Sequence, residues 1–239
     1  MGVLRALSLV PLVLMCLGGC GSKTLSTEEK QRLQFAAQLQ RAGLLVDSRL
    51  TQAVQAVPRH ALLPQDLADR AYTDTPLTLG ATSFEPSPVV QVAMVQAARV
   101  GPGQYVLDLE PGIGYRAALC ARMGARVLCL VGSPNLKQEL ESAMQKLDLA
   151  GVKVDLGDPA GMAKYGPYNV VFGCWSSREV PETMADQLRN QGRMVLLPSA
   201  GRDRIEVLRN QKGTLSLVET LQIAQLSQAF SQAATESAQ

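Results

Sequence analysis

From residue 105 onward, short apolar strands alternate with amphipathic helices, and that alternation leaves few folds open. Residues 105–109, 126–131, 152–156 and 169–174 read as strands. Helical spacing fills 115–123, 136–147 and 182–189, and later strands read at 193–198, 204–209 and 214–223. Strands that feed helices and return in the same direction build a mostly parallel sheet covered on both faces. Ahead of this unit the chain is helical. Ser26 and Glu29 form a capping-box pattern that opens a helix through 42, a second runs 46–57 up to Pro58, and a third spans 66–71. Residues 80–88 carry a glycine, two prolines, a threonine and two serines and read as a loop, after which 89–99 return to helical spacing. The tail from Ser227 is rich in Gln, Ala and Ser and is expected to fray.

The other end of the chain speaks to location. One arginine, Arg5, precedes a leucine-rich apolar run over 6–17, followed by Gly18, Gly19 and Cys20. A membrane-spanning helix needs about twenty apolar residues, so a run this short suits a signal peptide. Leu17-Gly18-Gly19-Cys20 resembles the bacterial lipobox, in which the cysteine takes a lipid and becomes the mature N-terminus. The expected organisation is a signal peptide over 1–19, a lipidated tether over 20–27, a domain over 28–226 and a flexible tail over 227–239. With Gly21 after the cysteine, the expectation is an envelope lipoprotein, on the periplasmic face of the outer membrane if the cell has two membranes. Composition narrows the rest. A net charge of +2 without a Lys/Arg run argues against nucleic-acid binding, and 4% aromatic residues argues against base-stacking platforms. One histidine, His60, gives no basis for a His-based metal cluster or a Ser-His-Asp triad. Cys120, Cys129 and Cys174 remain after processing, an odd set with no CxxC pair, and read as buried free thiols whose disulfide state is open.

The turn between the first strand and its helix is Asp108-Leu109-Glu110-Pro111-Gly112-Ile113-Gly114. Glycines there let a ligand approach the backbone and the helix N-terminus, but this turn alone is also compatible with a tight connection and nothing more. Its neighbours are more specific. Val57-Pro58-Arg59-His60, Leu63-Pro64, Ala71-Tyr72, Asp74, Pro76-Leu77 and Gly80 precede it, and the runs 106–118, 146–158, 166–172, 179–181 and 191–198 follow in order. Together they resemble the protein-L-isoaspartate O-methyltransferases over about residues 35–210. That resemblance implies an α/β, Rossmann-like S-adenosylmethionine methyltransferase fold with a helical N-terminal extension. It also implies that Asp108, Gly112, Gly114 and Asp158 stand at cofactor positions, and that the cofactor of an active member would be S-adenosylmethionine.

The departures from the family pattern fall on its chemistry. The family's catalytic serine, in the loop before the core, corresponds to Pro86 in a gapless alignment or to Phe84 if two gaps are allowed. Neither side chain donates or accepts a hydrogen bond. Ser83 and Ser87 stand nearby and would serve only through a slip in register. The acid that grips the cofactor's ribose in the family is Val131 here, Glu110 replaces the first glycine of the turn, Pro159 replaces a glycine and Asn169 an aspartate. The expectation is a vestigial cofactor site with no catalytic residue, in a membrane-tethered domain that acts by binding an envelope protein or peptide. The alternative is a working protein-L-isoaspartate O-methyltransferase. His60 has a structural reading and a substrate-side one, and Trp175, after the fourth strand, either plugs the old pocket or caps the core.

Overall fold

The computed structural model describes residues 24–79, 83–157 and 166–236, without the side chain of Ser83. Cys20, Gly80, Asp158 and Pro159 therefore lie outside the described residues. Two helices open the chain: α1 (Thr27–Arg41), with the Ser26/Glu29 capping box formed in both directions, and α2 (Ser48–Ala56), capped by Asp47. The segment after Pro64 folds as a 3-10 helix, Gln65–Arg70, with no buried residue. Residues read as a loop instead pair in part. β1 (Leu77–Leu79) and β2 (Ser83–Glu85) form an antiparallel ladder that sets Phe84 opposite Thr78.

The main sheet has seven strands in the order β5-β4-β3-β6-β7-β8-β9. These are β3 (Tyr105–Asp108), β4 (Arg126–Val131), β5 (Val152–Leu156), β6 (Tyr168–Gly173), β7 (Leu188–Leu196), β8 (Arg204–Gln211) and β9 (Thr214–Gln222). β3 through β7 run parallel, and β8 and β9 return antiparallel. From β3 the chain winds outward through β4 and β5, then crosses back to β6 on the other side of β3. That reversal makes a crevice at the carboxyl ends of β3, β4 and β6, the place where open α/β sheets hold ligands.

α3 (Pro88–Ala98), α4 (Tyr115–Arg122) and α5 (Pro134–Lys146) contribute to the larger apolar core. α3 is buried nearly all round, with only Gln96 partly exposed. Its apolar residues Val89, Val90, Val92, Met94 and Val95 are buried between the sheet and the neighbouring helices. Packing overrides the weak helix propensity of valine here, and Ser87 at the N-cap with Pro88 behind it fixes the start. On the opposite face, a smaller core gathers Leu107, Leu128, Tyr168, Val171 and Met194 beneath the short α6 (Met184–Gln187). The expected helix over 182–189 is confined to those four residues, because the chain enters β7 at Leu188.

The frayed tail expected from Ser227 is corrected outright. α7 (Ile223–Thr235) buries Leu226, Phe230 and Ala233, spaced four and three residues apart on one face. It docks on α1, where Phe35 meets Phe230 edge-on at 5.6 Å and Gln38 donates to the Phe230 carbonyl at 2.8 Å. Only 237–239 of the expected tail lie outside the described residues.

Candidate functional site

The crevice at the sheet switch point contains a cavity of about 340 Å³, lined by the turn 109–112, Arg116, Leu130, Val131, Leu136, Phe84, Leu197 and Arg202 among others. A wider cleft of about 860 Å³ lies on the α5 side of Phe84 and shares Phe84, Gly112 and Leu136 with it. The smaller cavity is the one at the strand ends, and the groups around it decide what it can do.

Asp108, the last residue of β3, is fully buried. Eight residues later, the first turn of α4 returns Arg116 to it, with Nη2 donating to Oδ1 at 2.9 Å and Nε to Oδ2 at 3.3 Å. Arg116 also donates to the Glu110 carbonyl and lies 5.6 Å from the Phe172 ring centroid. Burial alone would lower the Arg116 pKa, but the Asp108 carboxylate reverses this and holds the guanidinium above its ordinary range. The Glu110 N–H takes a further share of Asp108 Oδ1 at 3.3 Å. Every charge-bearing oxygen of Asp108 is thus engaged within the chain.

The two glycines of the turn are spoken for as well. Gly112 has φ +54, and a Cβ built on it would stand 2.2 Å from Glu85 Oε2. Gly114 has φ +84, and a Cβ there would meet Met144 Cε at 2.7 Å and Leu140 Cδ2 at 2.9 Å, both on α5. One glycine makes room for a side chain from β2, the other for the helix packed over the turn. Glu85 itself is 1% exposed and accepts from Gln91 Nε2 at 2.7 Å, Arg59 Nη2 at 3.3 Å and the Ile113 N–H at 3.3 Å. Arg59, wholly buried, also donates to the carbonyls of Ala71 and Pro86 at 2.9 and 3.3 Å. This buried pair stitches β2 to the glycine turn.

The serine position gains no hydroxyl in either register. Phe84 is 37% exposed at the cavity mouth, with the Arg202 guanidinium 3.7 Å from its ring centroid, and Pro86 lines the same wall. Ser87 is committed to the fold: its Oγ donates to Asp74 at 2.5 Å and accepts from Val90 N–H as the cap of α3. Val131 ends β4 with 3% exposure and gives the cavity an apolar wall where the resemblance places a ribose-binding acid. Asn169 sits away from the cavity and accepts from the Tyr105 N–H at 2.9 Å, tying β6 to β3. Cys174 is pushed up to about 11 by burial and by neighbouring Glu110, which keeps it a thiol at neutral pH. Cys120 and Cys129 are buried and free. No group of three or more His, Cys, Asp or Glu able to hold a metal occurs among the described residues.

The remaining sequence candidates fall into structural places. His60 Nδ1 is 2.9 Å from the Tyr72 hydroxyl, in an edge-on ring contact, and burial lowers its pKa. Trp175 packs against the smaller core and over Gly173, where a Cβ would meet its ring at 2.9 Å; it caps the core and does not line the cavity. Sequence reasoning passed over Arg59, Glu85, Gln91 and Arg116. Arg59 stood beside the noticed His60, and Arg116 stood two residues past the noticed turn. For Arg59, Glu85 and Arg116 the signal was a charge near apolar residues, which buries only when paired, and for Gln91 a polar amide within an apolar helix.

The comparisons with known proteins bear on kinship. A family model described as Protein-L-isoaspartate(D-aspartate) O-methyltransferase matches residues 29–225. A protein-L-isoaspartate O-methyltransferase of Aeropyrum pernix is 33% identical over 170 residues, covering 69% of this chain and 65% of that protein. The match therefore spans just under two thirds of that relative's length. A protein-L-isoaspartate O-methyltransferase 2 of a Polaromonas species is 31% identical over 183 residues, 75% of this chain and 87% of that one. Among solved structures, one titled protein-L-isoaspartate O-methyltransferase overlays with a TM-score of 0.67 at 22% identity, covering 80% of this chain and 63% of that one. A Plasmodium falciparum structure of the same description, in complex with S-adenosyl-L-homocysteine, overlays at 0.64 with 16% identity, covering 78% and 94%. These likenesses carry the fold, a Rossmann-like methyltransferase sheet. The relatives' names favour a working methyltransferase over the expectation of a non-catalytic domain, for which the comparisons offer no support. Matched along most of its length by the family model and joined to its members by motif order, the chain belongs to the protein-L-isoaspartate O-methyltransferase family.

Proposed function

We propose that this member of the family keeps the methyltransferase fold but works as a binding module rather than by methyl transfer from S-adenosylmethionine. One observation carries the reading: the polar groups of the glycine turn that would meet a cofactor are already bonded inside the chain, Asp108 by Arg116 and the Ile113 N–H by Glu85. The wall at Val131 supplies no acid, and neither Phe84 nor Pro86 supplies a hydroxyl. These residues do not fit a ligand that brings its own carboxylate, ammonium and ribose diol. The proposed occupant is a protein or peptide of the cell envelope, reached by a domain tethered through a lipid on Cys20.

A second reading is favoured by the relatives' names: an active, S-adenosylmethionine-dependent protein-L-isoaspartate O-methyltransferase that repairs aged proteins. Calorimetric titration with S-adenosylmethionine, followed by transfer of labelled methyl to an isoaspartyl peptide at the highest attainable cofactor concentration, separates the two. The binding reading expects no micromolar heat signal and background counts. Val131→Glu should then recover affinity, by roughly ten- to a hundredfold for one restored charge-assisted hydrogen bond. Micromolar binding and transfer by the unmutated protein establish the enzyme instead. For the tether, mass spectrometry of the membrane fraction should find a lipid-modified peptide beginning at Cys20; a soluble product cleaved elsewhere removes that part of the proposal.

A further inference from the structure

A glycine turn that opens a helix presents N–H groups to whatever lies in the crevice, and such a turn takes carboxylates and phosphates. In this chain the N–H of Ile113, next to the cavity-lining Gly112, already has an anionic partner. Glu85 Oε2 accepts from the Ile113 N–H at 3.3 Å, and the carboxylate rests over Gly112, where a Cβ would be 2.2 Å away. Glu85 is not a surface carboxylate that has drifted in. It is 1% exposed, and its other oxygen is held by Gln91 from α3 and by the wholly buried Arg59. Arg59 is in turn fixed by two backbone carbonyls. The chain has assembled donors around this carboxylate from three separate segments.

We propose that Glu85 is a built-in ligand of the glycine turn: its carboxylate takes the N–H that would receive the acidic end of an outside molecule, and so determines what the cavity admits. With the turn filled from within, carboxylate- and phosphate-terminated ligands are excluded at that end. The cavity is left to molecules that approach through its apolar wall of Leu130, Val131, Leu136 and Leu197. This inference extends the binding-module reading by naming the residue that closes the turn, and its test reads amide exchange and a phosphate response rather than turnover, so its failure is distinguishable from the failure of that reading.

The test follows the Ile113 amide by two-dimensional NMR in the full folded protein. In Glu85→Ala, exchange at Ile113 should quicken by about ten- to a hundredfold, the loss of one hydrogen bond to a charged group, while amides later in α4 keep their rates. Inorganic phosphate, titrated into that variant, should shift the Ile113 amide; in the unmutated protein it should not. Gly112→Ala, whose Cβ would displace the carboxylate, should behave like Glu85→Ala. If Glu85→Ala does not fold, Glu85→Gln retains the volume and should weaken protection at Ile113 in the same direction. Unchanged exchange at Ile113, acceleration spread evenly along α4, or an equal phosphate response in mutant and parent overturns the proposal.

Discussion

Arg116 is a stern test of how much of this site is structural. Its side chain is 5% exposed and that of Asp108 is not exposed at all, so the pair sits where water cannot take over for a lost partner. Replacing Arg116 by Met keeps most of the stem but strands a buried carboxylate, whose remaining donor is the Glu110 N–H at 3.3 Å. Breaking a buried pair in this way costs about 3–5 kcal/mol. For a domain of this size each kcal/mol moves the melting temperature by about 2–4 °C, so Arg116→Met should melt roughly 6–20 °C below the parent. Asp108→Asn strands the guanidinium and should cost a comparable amount. The double variant removes both charges, and its loss should fall short of the sum by at least about 2 kcal/mol. Urea unfolding followed by the fluorescence of Trp175, the only tryptophan, measures all four corners of the cycle. Single losses below about 1 kcal/mol, or a double variant whose loss equals the sum, would refute the view that Arg116 is there to neutralise Asp108.

Two further outcomes follow from ionisation. Burial pushes the Glu85 carboxyl above its ordinary 4.5, against the pull of Arg59 and Arg116 and the hydrogen bonds from Gln91 and Ile113. A raised pKa gives stability that is full below the unfolded value and is lost as pH rises through the folded one. The stability advantage of the parent over Glu85→Gln should therefore be greatest below pH 4.5 and shrink as pH rises above it; urea midpoints that diverge with rising pH would contradict this. Cys174, with its pKa pushed up to about 11, should react with iodoacetamide at pH 8 about a hundredfold more slowly than an unperturbed thiol. Glu110→Gln should speed the reaction, and labelling as fast as free cysteine would show that the thiol is not suppressed.

The elements that read well in the sequence were those whose cause is local. The capping box at Ser26 and Glu29 needs only three residues of separation, and β4 and β5 begin and end where their apolar runs do. The 3-10 turn after Pro64 and the short α6 were misjudged in type or length because six or eight residues leave a helical period little room to declare itself. α7 was hidden by its composition: glutamine, alanine and serine suggest a solvated tail, while the stripe of Leu226, Phe230 and Ala233 gains meaning only once α1 supplies a surface for it. At the site, Val131, Phe84 and Pro86 were readable as departures because one motif aligned against another exposes a missing acid or hydroxyl. The partnership of Arg59 with Glu85 spans 26 positions and that of Gln91 with Glu85 crosses from helix to strand, so no pattern along the chain announces either. Gly112 shows the limit most plainly: its presence was legible, but the reason for it was a side chain in β2.

The docking of α7 on α1 also governs the order in which this molecule can be made. α7 docks on α1 and covers part of α3, the most apolar helix among the described residues. A nascent chain that has emerged only as far as β9 carries a finished sheet and an unfinished lid, with Phe35 lacking its partner Phe230. Cover for α3 is thus completed only after the whole sheet has been made, and until then α3 is the surface a holding chaperone would bind. Removing α7 would take away no strand of the sheet and no wall of the 340 Å³ cavity, yet it would leave the protein permanently in that unfinished state.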